Sequence, residues 1–551
     1  MKKNKKTKNI KNENIEHPDP DFIYIINKFG INQDFSDEVK KELESFNSFS
    51  ISELEYKKRK DLRNLFTITM DSISAKDFDD AYSLEFQNNI WTLWVHIADV
   101  SYFVKKDSKL DKEAQERGNS YYLGPWVVHM LPPIFSENLC SLKEKEDRLA
   151  VTCEIKLDGS GSIISYDIYR SIINVDIRIP YEIGNRILEE KKENNQKFEF
   201  LNLSQKLQKI LFNNRINEGS LNFDFPDYIF VFKDNYITPA DIIRYERGIC
   251  ERIIEEFMLC ANKVIAIAGS KLNSFIFRIH DKPDEISLNN KNIEISNKLT
   301  HEKINEVLKN FKNTDKQFAI ESMILKSLKR ANYDNKNIGH FGLNFEKYTH
   351  FTSPIRRYSD LVTHRLILGE KYSSAELKQI SIITSITEQI ANSAEEEYNK
   401  IKNAHFLKKY LKNKFSVNVV GIIPKGVFCR IDKYGCEGLL SSNELKKKGY
   451  TYNKKMNLFE NKNTKKNLEI GSKLDLFLIK SDTKNGFVDF GFNIDNNKRE
   501  RDKKNNKDSK DNFKNKNSKL KDKNNTKERK NKDGKKNKKK RRHSGRYDSF
   551  N

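Results

Sequence analysis

The chain has 551 residues, 101 Lys and Arg against 78 Asp and Glu, a net charge of +23 and 37% hydrophobic content. That length allows about three to four domains. Its six cysteines (140, 153, 250, 260, 429 and 436) form no CxxC pair, which argues against a zinc ribbon and a disulfide scaffold. No apolar run is long enough to span a bilayer, and no apolar stretch follows the Lys-rich start as in a leader. The composition therefore reads as a reduced, cytoplasmic, soluble protein with no membrane anchorage.

The charge is uneven. Residues 498–551 hold 24 Lys and Arg against 8 Asp and Glu, and the first twelve residues hold six Lys and no acid. The body between them is nearly neutral. Runs such as Lys535-Lys536-Asn537-Lys538-Lys539-Lys540-Arg541-Arg542 cannot build a core and are expected to be disordered. Their charge suits a polyanion, bound through counterion release.

Residues 1–20 read as a disordered basic arm and 21–64 as a helical lead-in. The lead-in has helical patterns at Phe22–Phe29, which Gly30 stops, and at Ser36–Leu43, then a charged stretch at Glu53–Lys60. Residues 65–412 form a mixed α/β region. Strand-like segments are Trp91–Val104, Leu149–Leu157 and Ile163–Tyr169; helical ones are Tyr181–Glu190, Asp241–Ala268 and Thr314–Ala331. Without strict β-α-β alternation, a doubly wound parallel sheet is not expected. In residues 413–495 the texture changes to five short strands: Phe415–Ile423, Gly426–Ile431, Gly438–Ser441, Lys473–Lys480 and Gly486–Phe492. Five strands in so short a stretch suit an OB-type barrel, which binds single strands on one face. Residues 496–551 are the basic tail. The fold class is α+β.

The most informative run is Asp71, Asp77, Phe78, Asp79, Asp80. Short β-like runs, Leu65 to Met70 and Tyr82 to Phe86, flank it, so the acids lie at a strand junction. Two carboxylates 4 Å apart repel by roughly 4 kcal/mol at an effective dielectric near 20. Kept ionised and partly buried, they call for a cation. Carboxylate oxygens select hard ions, Mg²⁺ or Mn²⁺, and Mg²⁺ on acids serves phosphate chemistry.

Further along, Ser353-Pro354 reads as a cap followed by proline at the first helical position, which places Arg356 and Arg357 in a first helical turn beside free N–H groups. Guanidinium groups at a helix start form an anion site. Ile355, Tyr358, Leu361 and Val362 recur at helical spacing and are expected in the core. The segment Asn119-Ser120-Tyr121-Tyr122-Leu123-Gly124-Pro125-Trp126 follows a helix stopped by Gly118, and its rings suit base stacking. Phe223 and Phe225 alternate as in a strand and read as core. His96 and His280 read as satisfied structural histidines, and Glu395-Glu396-Glu397 as a solvated helix face. No Walker loop, GxGxxG or nucleophile elbow is present.

Together these motifs resemble the ribonuclease R / ribonuclease II exoribonucleases, and the ribonuclease R branch in particular. The resemblance runs from about Ile25 to Ile494. It rests on MDSISAKDFDDAYSLE, WVHIADVSYFV, GNSYYLGPWVVHMLPPIFSENLCSL, EEFMLCANKVIA, FRIHDKP, IGHFGLNFEKYTHFTSPIRRYSDLVTHR and the terminal barrel, in the family's order. It implies an RNB-type catalytic domain followed by an S1-type barrel. The implied activity is processive 3′→5′ hydrolysis of single-stranded RNA to 5′-mononucleotides. It implies Mg²⁺, with Mn²⁺ as an alternative, at Asp71, Asp77, Asp79 and Asp80, with Asp79 indispensable. Tyr122 matches a stacking aromatic. Phe223 matches the opposing ring, which displaces the core reading above. Arg356 or Arg357, Arg356 preferred, matches a phosphate-steadying arginine, and Glu395 a catalysis-linked glutamate. Phe428 falls on a barrel strand where it could stack RNA. The resemblance also implies a monomer. The basic tail would be a contact for the ribosome or RNA-decay proteins.

Relatives carry two cold-shock barrels ahead of the nuclease region. Here the lead-in begins by residue 25, so neither is expected, and RNA binding should be looser and more salt-sensitive. Two other readings stand beside the exoribonuclease. One is a non-catalytic RNA-binding protein on the same scaffold; the other is a metal phosphodiesterase acting on DNA or small nucleotides.

Overall fold

A computed structural model describes residues 18–191, 196–223, 225–233, 236–283, 288–290, 293–295 and 300–494. The basic arm before Pro18 and the tail after Ile494 lie outside the described residues. The described residues up to Phe492 belong to one compact unit.

This unit is built on a seven-stranded sheet. In chain order its strands are β1 (Lys60–Asp61), β2 (Ile68–Thr69), β3 (Asp80–Gln87), β4 (Ile90–Ala98), β5 (Asp147–Asp158), β6 (Ile163–Asn174) and β7 (Ile177–Arg178). They lie side by side as β1-β6-β5-β4-β3-β2-β7. Only the β1–β6 and β2–β7 pairs are parallel, so the sheet is not doubly wound, as expected. Alternation sets its faces. Trp91, Leu93, Val95 and Ile97 of β4 all point into the core. His96 is buried too, in a polar layer. Its Nε2 meets Ser83 Oγ at 3.1 Å and its Nδ1 meets Thr152 Oγ1 at 2.8 Å. Burial lowers the His96 pKa to about 3, so the ring stays neutral, a satisfied structural histidine as expected.

Two expected elements are corrected. The strand beginning at Trp91 ends at Ala98, because Asp99 caps a helical turn, Val100–Phe103, by accepting from the Tyr102 N–H. The single helix expected over Asp241–Ala268 is a strand, Asp241–Tyr245, followed by a helix, Ile249–Gly269. Pairing with Asp227–Val231 wins the first five residues for the sheet, and Gly248 in an extended conformation separates the two.

Helix α1 (Pro20–Phe29) starts at the Asp19 cap, with proline in its first turn, and ends at Gly30. It packs on α2 (Ser374–Lys408), a 35-residue helix opened by a Ser373/Glu376 capping box and about 50 Å long. Phe22, Ile25 and Ile26 share one apolar cluster with Ala394, Tyr398 and Ile401 of α2. Five further strands close a barrel: β8 (Lys414–Ile423), β9 (Gly426–Ile431), β10 (Cys436–Ser441), β11 (Lys473–Asp482) and β12 (Phe487–Gly491). Val417, Val427, Cys429, Leu440, Leu476 and Phe490 fill it. All six cysteines are buried and unpaired. No helix among the described residues is long and apolar enough to cross a membrane.

Candidate active site

Asp71, Asp77 and Asp79 lie in the connection between β2 and β3 and Asp80 opens β3, as expected of a strand junction. Arg178 holds this loop by its backbone, donating from Nη2 to the carbonyls of Ser72 (2.9 Å) and Ile73 (2.9 Å). Ser141 holds its second half: Oγ donates to the Lys76 carbonyl at 2.7 Å and accepts from the Phe78 N–H at 3.0 Å. Asp71 is fixed through its carbonyl, which accepts from Tyr181 N at 3.0 Å. Asp79 accepts from Ala98 N through its backbone oxygen and from Ile355 N, at 2.8 Å, through Oδ1.

That last bond brings the arginine segment to the acids, but not as the sequence pattern implies. The helix begins at Tyr358, with Arg357 as its cap residue, not at Pro354. Residues 353–356 form a turn whose backbone groups are taken from afar. Ser353 N donates to Asp360 Oδ1, Ile355 N to Asp79, and the Arg356 carbonyl accepts from Ser120 N at 3.0 Å. The two arginines therefore precede the helix and do not lie in its first turn. Ile355, Tyr358, Leu361 and Val362 are buried as expected. Arg356 Nε lies 3.7 Å from Asp79 Oδ2, and its side chain is 42% exposed. Arg357 is 17% exposed and donates from Nη2 to buried Asp360 at 2.6 Å.

Tyr122 sits on a short strand, Tyr121–Leu123, paired with Trp126–Val128 in a tight hairpin. Gly118 stops the preceding helix at φ 67°, where a Cβ would meet Thr387 Oγ1 at 2.0 Å. The hairpin tip, Gly124, also has positive φ, and a Cβ there would lie 2.8 Å from the Tyr398 ring. Tyr122 is 36% exposed, and its hydroxyl donates to Asp77 Oδ2 at 2.9 Å. Burial, and then the Asp77 charge, raise its pKa.

Asp71, Asp77, Asp79, Asp80, Tyr122, Arg356, Arg357 and Glu395 all line one cavity of about 870 Å³. The sequence reading missed several further wall residues: Tyr181, Asn262, His350, Phe230 and Phe232. His350 stood within the arginine motif and Asn262 within EEFMLCANKVIA, so both were legible as candidates; Tyr181, Phe230 and Phe232 come from segments with no such signal. Burial, and then the Arg357 charge, hold the His350 pKa well below its ordinary value, and Nδ1 shares a 2.6 Å hydrogen bond with the Tyr333 hydroxyl. Glu395 is on α2 at the rim, and desolvation, then the Glu396 and Asp227 charges, raise its pKa. Phe223 is not brought to this cavity. It packs half-buried against the cluster of Leu221, Ile304 and Leu308, with its ring 6.0 Å from that of Phe225. Phe428 is on the barrel, 38% exposed.

The electrostatics of the acid loop fit a hard cation. Asp80 Oδ2 is buried with no hydrogen-bond partner. Burial, and then the Asp71 charge, push the Asp80 pKa up to about 7. Burial also raises Asp71, and raises Asp79 well above the ordinary value although Arg356 and the Ile355 N–H oppose it. Burial outweighs the protein groups that oppose it at these carboxylates, and a divalent ion would offset it. Among the described residues no three His, Cys, Asp or Glu side chains converge on a ready-made metal cage. A small divalent ion that keeps several waters and shares its remaining positions with a substrate phosphate needs none.

Comparison with known proteins places this geometry. Residues 59–369 match the RNB domain. The chain is 34% identical to ribonuclease R of Aquifex aeolicus over 494 residues, covering 85% of this chain and 69% of that one. It is 35% identical to ribonuclease R of Thermotoga maritima over 459 residues, covering 78% and 64%. It thus spans about two thirds of the length of these curated relatives. Among solved structures, Mycoplasma genitalium RNase R, in its apo form and in complex with ribose methylated single-stranded RNA, superposes with a TM-score of 0.79. Identity there is 26%, over 85% of this chain and 77% of that one. An RNB domain carrying the four acids and the arginine turn, followed by a closed barrel, assigns the chain to the ribonuclease R family.

Proposed function

We propose that this chain is a processive 3′→5′ exoribonuclease that hydrolyses single-stranded RNA to 5′-mononucleotides. The observation that carries the reading is the position of Asp79, which accepts from Ile355 N at 2.8 Å and lies 3.7 Å from Arg356 Nε. Acid and arginine are thereby set for one phosphate. The RNA complex of the Mycoplasma genitalium relative supports single-stranded RNA as the ligand class.

Asp71, Asp77, Asp79 and Asp80 are the residues that would hold Mg²⁺, or Mn²⁺ with the same oxygen donors. Bound there, the ion supplies charge neutralisation at the phosphate and an activated water. Water adds to the scissile phosphorus, the P–O3′ bond breaks, and the phosphate leaves on the 5′ oxygen of the released nucleotide. Arg356, tethered through Nη2 to Ser353 Oγ at 2.9 Å, offers its other N–H donors to a phosphate oxygen. The Tyr122 ring offers a face for a base near the 3′ end, worth about 1–3 kcal/mol per stacked base. Glu395 holds its proton to higher pH than an ordinary glutamate and suits protonation of the leaving O3′. Phe428 offers a second stacking face on the barrel. Phe223 would reach the substrate only if its segment moved from its present packing.

The reading divides the chain into a lead-in (21–64), a catalytic domain (65–412) and an S1-type barrel (413–495). It takes the tail as the RNA, ribosome or decay-protein contact. Six buried, unpaired thiols fit a reducing, cytoplasmic compartment, and a monomer suffices, since every proposed site residue is on one chain. The test is uniformly labelled poly(A) incubated with Mg²⁺ and with EDTA. Release of 5′-AMP only with Mg²⁺ is expected; no mononucleotide under any divalent ion would sink the reading.

A further inference from the structure

Helix α1 lies ahead of the sheet and contributes no side chain to the cavity wall. Its cap residue, Asp19, is nevertheless fully buried and tied to both elements that present the non-acidic half of the site. Asp19 Oδ2 accepts from Trp126 Nε1 at 3.1 Å and from the Tyr398 hydroxyl at 2.7 Å. Oδ1 accepts from Lys402 Nζ at 2.8 Å and from Asp21 N at 3.1 Å. Trp126 is the first residue of the hairpin strand that pairs with the Tyr122 strand. Tyr398 and Lys402 follow Glu395 on α2, about one and two turns along. A single carboxylate thus receives one donor from the hairpin and two from the helix.

The apolar packing repeats the arrangement. Phe22, Ile25 and Ile26 of α1 share a cluster with Tyr121, Leu123 and Val128 of the hairpin and with Ala394, Tyr398 and Ile401 of α2. Lys402 has other acceptors, Asp21 Oδ2 at 2.8 Å and the Tyr236 carbonyl at 2.6 Å. Neutralising Asp19 therefore leaves the ammonium partnered and the apolar cluster whole, while the polar tie between hairpin and helix weakens. A displacement of about 1 Å at a reacting group can cost on the order of 10²-fold in rate.

We propose that Asp19 is a positioning residue for the reaction at the acid cavity, setting the hairpin that presents Tyr122 against the helix that presents Glu395. This rests on the exoribonuclease reading above. Asp19 lines no part of the cavity; its loss has to act by displacing the hairpin, and with it Tyr122, against the helix.

That requirement makes a double-mutant cycle the test. The full chain is compared with Asp19→Asn, Tyr122→Ala and the double variant on labelled poly(A). Asp19→Asn is expected to lower kcat by about tenfold or more, with KM moved less than about threefold. The double variant is expected to turn over as fast as Tyr122→Ala alone. Multiplying effects in the double variant, or an unchanged kcat in Asp19→Asn, would overturn the inference. If Asp19→Asn does not fold, Trp126→Phe, which removes the hairpin's donor to Asp19 together with part of the ring packing on Phe22 and Tyr236, takes its place in the cycle under the same criteria. An inactive parent chain overturns the exoribonuclease reading and this inference with it. An active parent with multiplying effects overturns this inference alone.

Discussion

Ile355 donates its backbone N–H to Asp79 Oδ1 at 2.8 Å, across 276 residues of sequence. The acid is thereby oriented by the segment that carries Arg356. Asp79→Asn keeps an oxygen for Ile355, removes the charge and turns an amide NH2 toward Arg356. RNA binding is expected to persist while cleavage falls by about 10²–10³-fold or more. Filter binding and single-turnover release of AMP, run side by side, check this; near parental turnover would refute the role given to Asp79.

The two neighbouring arginines should fail differently. Arg356 is half open to the cavity, so Arg356→Lys is expected to lower turnover by about 10²-fold with little change in stability. Arg357 is committed to buried Asp360. Arg357→Ala leaves that carboxylate short of its cation and should cost about 3 kcal/mol or more in urea unfolding. Equal effects of the two substitutions on stability would show that this division of roles is wrong.

Asp80 carries a buried oxygen with no partner. Mg²⁺ binding only the folded chain should raise its thermal midpoint, and EDTA should reverse the rise. Asp80→Asn removes the uncompensated carboxylate. The variant is expected to melt higher than the parent in EDTA and to respond less to Mg²⁺. A thermal-shift titration reads both; an unaltered Mg²⁺ response in the variant would remove Asp80 from the ligand set.

A second buried acid behaves oppositely. Burial works to raise Asp99, but Arg59, whose Nη2 lies 2.8 Å from Oδ2, and the Ser101 hydroxyl outweigh it and hold its pKa below the ordinary value. An unfolded aspartate titrates near about 3.9. Stability contributed by this pair is complete above that pH and is lost as pH falls through the lower folded value. Unfolding free energy should therefore be level in this respect from pH 7 to 5 and decline below about 4. Asp99→Asn should be less stable at pH 7 and decline less steeply in acid, as denaturant melts across pH would record.

Removing residues 498–551 takes away 24 Lys and Arg. RNA affinity is expected to fall. The slope of log affinity against log salt should flatten by about 0.7 for each phosphate the tail had neutralised. An unchanged slope would leave the tail as a solubilising segment.

Much of this was legible in the chain itself. The acid run predicted a strand junction because β-like residues flank it, and β2 and β3 meet there. The helix Tyr181–Glu190 and the strand Gly426–Ile431 match their expected bounds, since apolar period and turn residues agree locally. The misread arginine turn and the misread strand at Asp241 share one cause. Ser353-Pro354 has the local form of a helix start, but Asp79, Asp360 and Ser120 claim the backbone groups that a helix would use. Ile242 and Ile243 likewise answered to a strand partner, Asp227–Val231, that local pattern does not reveal. Phe223 alternates with Phe225 whether it faces a substrate or a neighbour, and spacing cannot choose. The wall formed by Tyr181, Asn262 and His350 exists only once distant segments have met.

Three hydrogen bonds close a ring: Tyr122 to Asp77, Ser120 to Arg356, and Ile355 to Asp79. Its last link arrives with residues 355–356, and Glu395 follows later still. A ribosome making this protein would release the acid loop long before the partners that orient it. The acids, the arginine turn and Glu395 can therefore stand around one cavity only after most of the chain has been made.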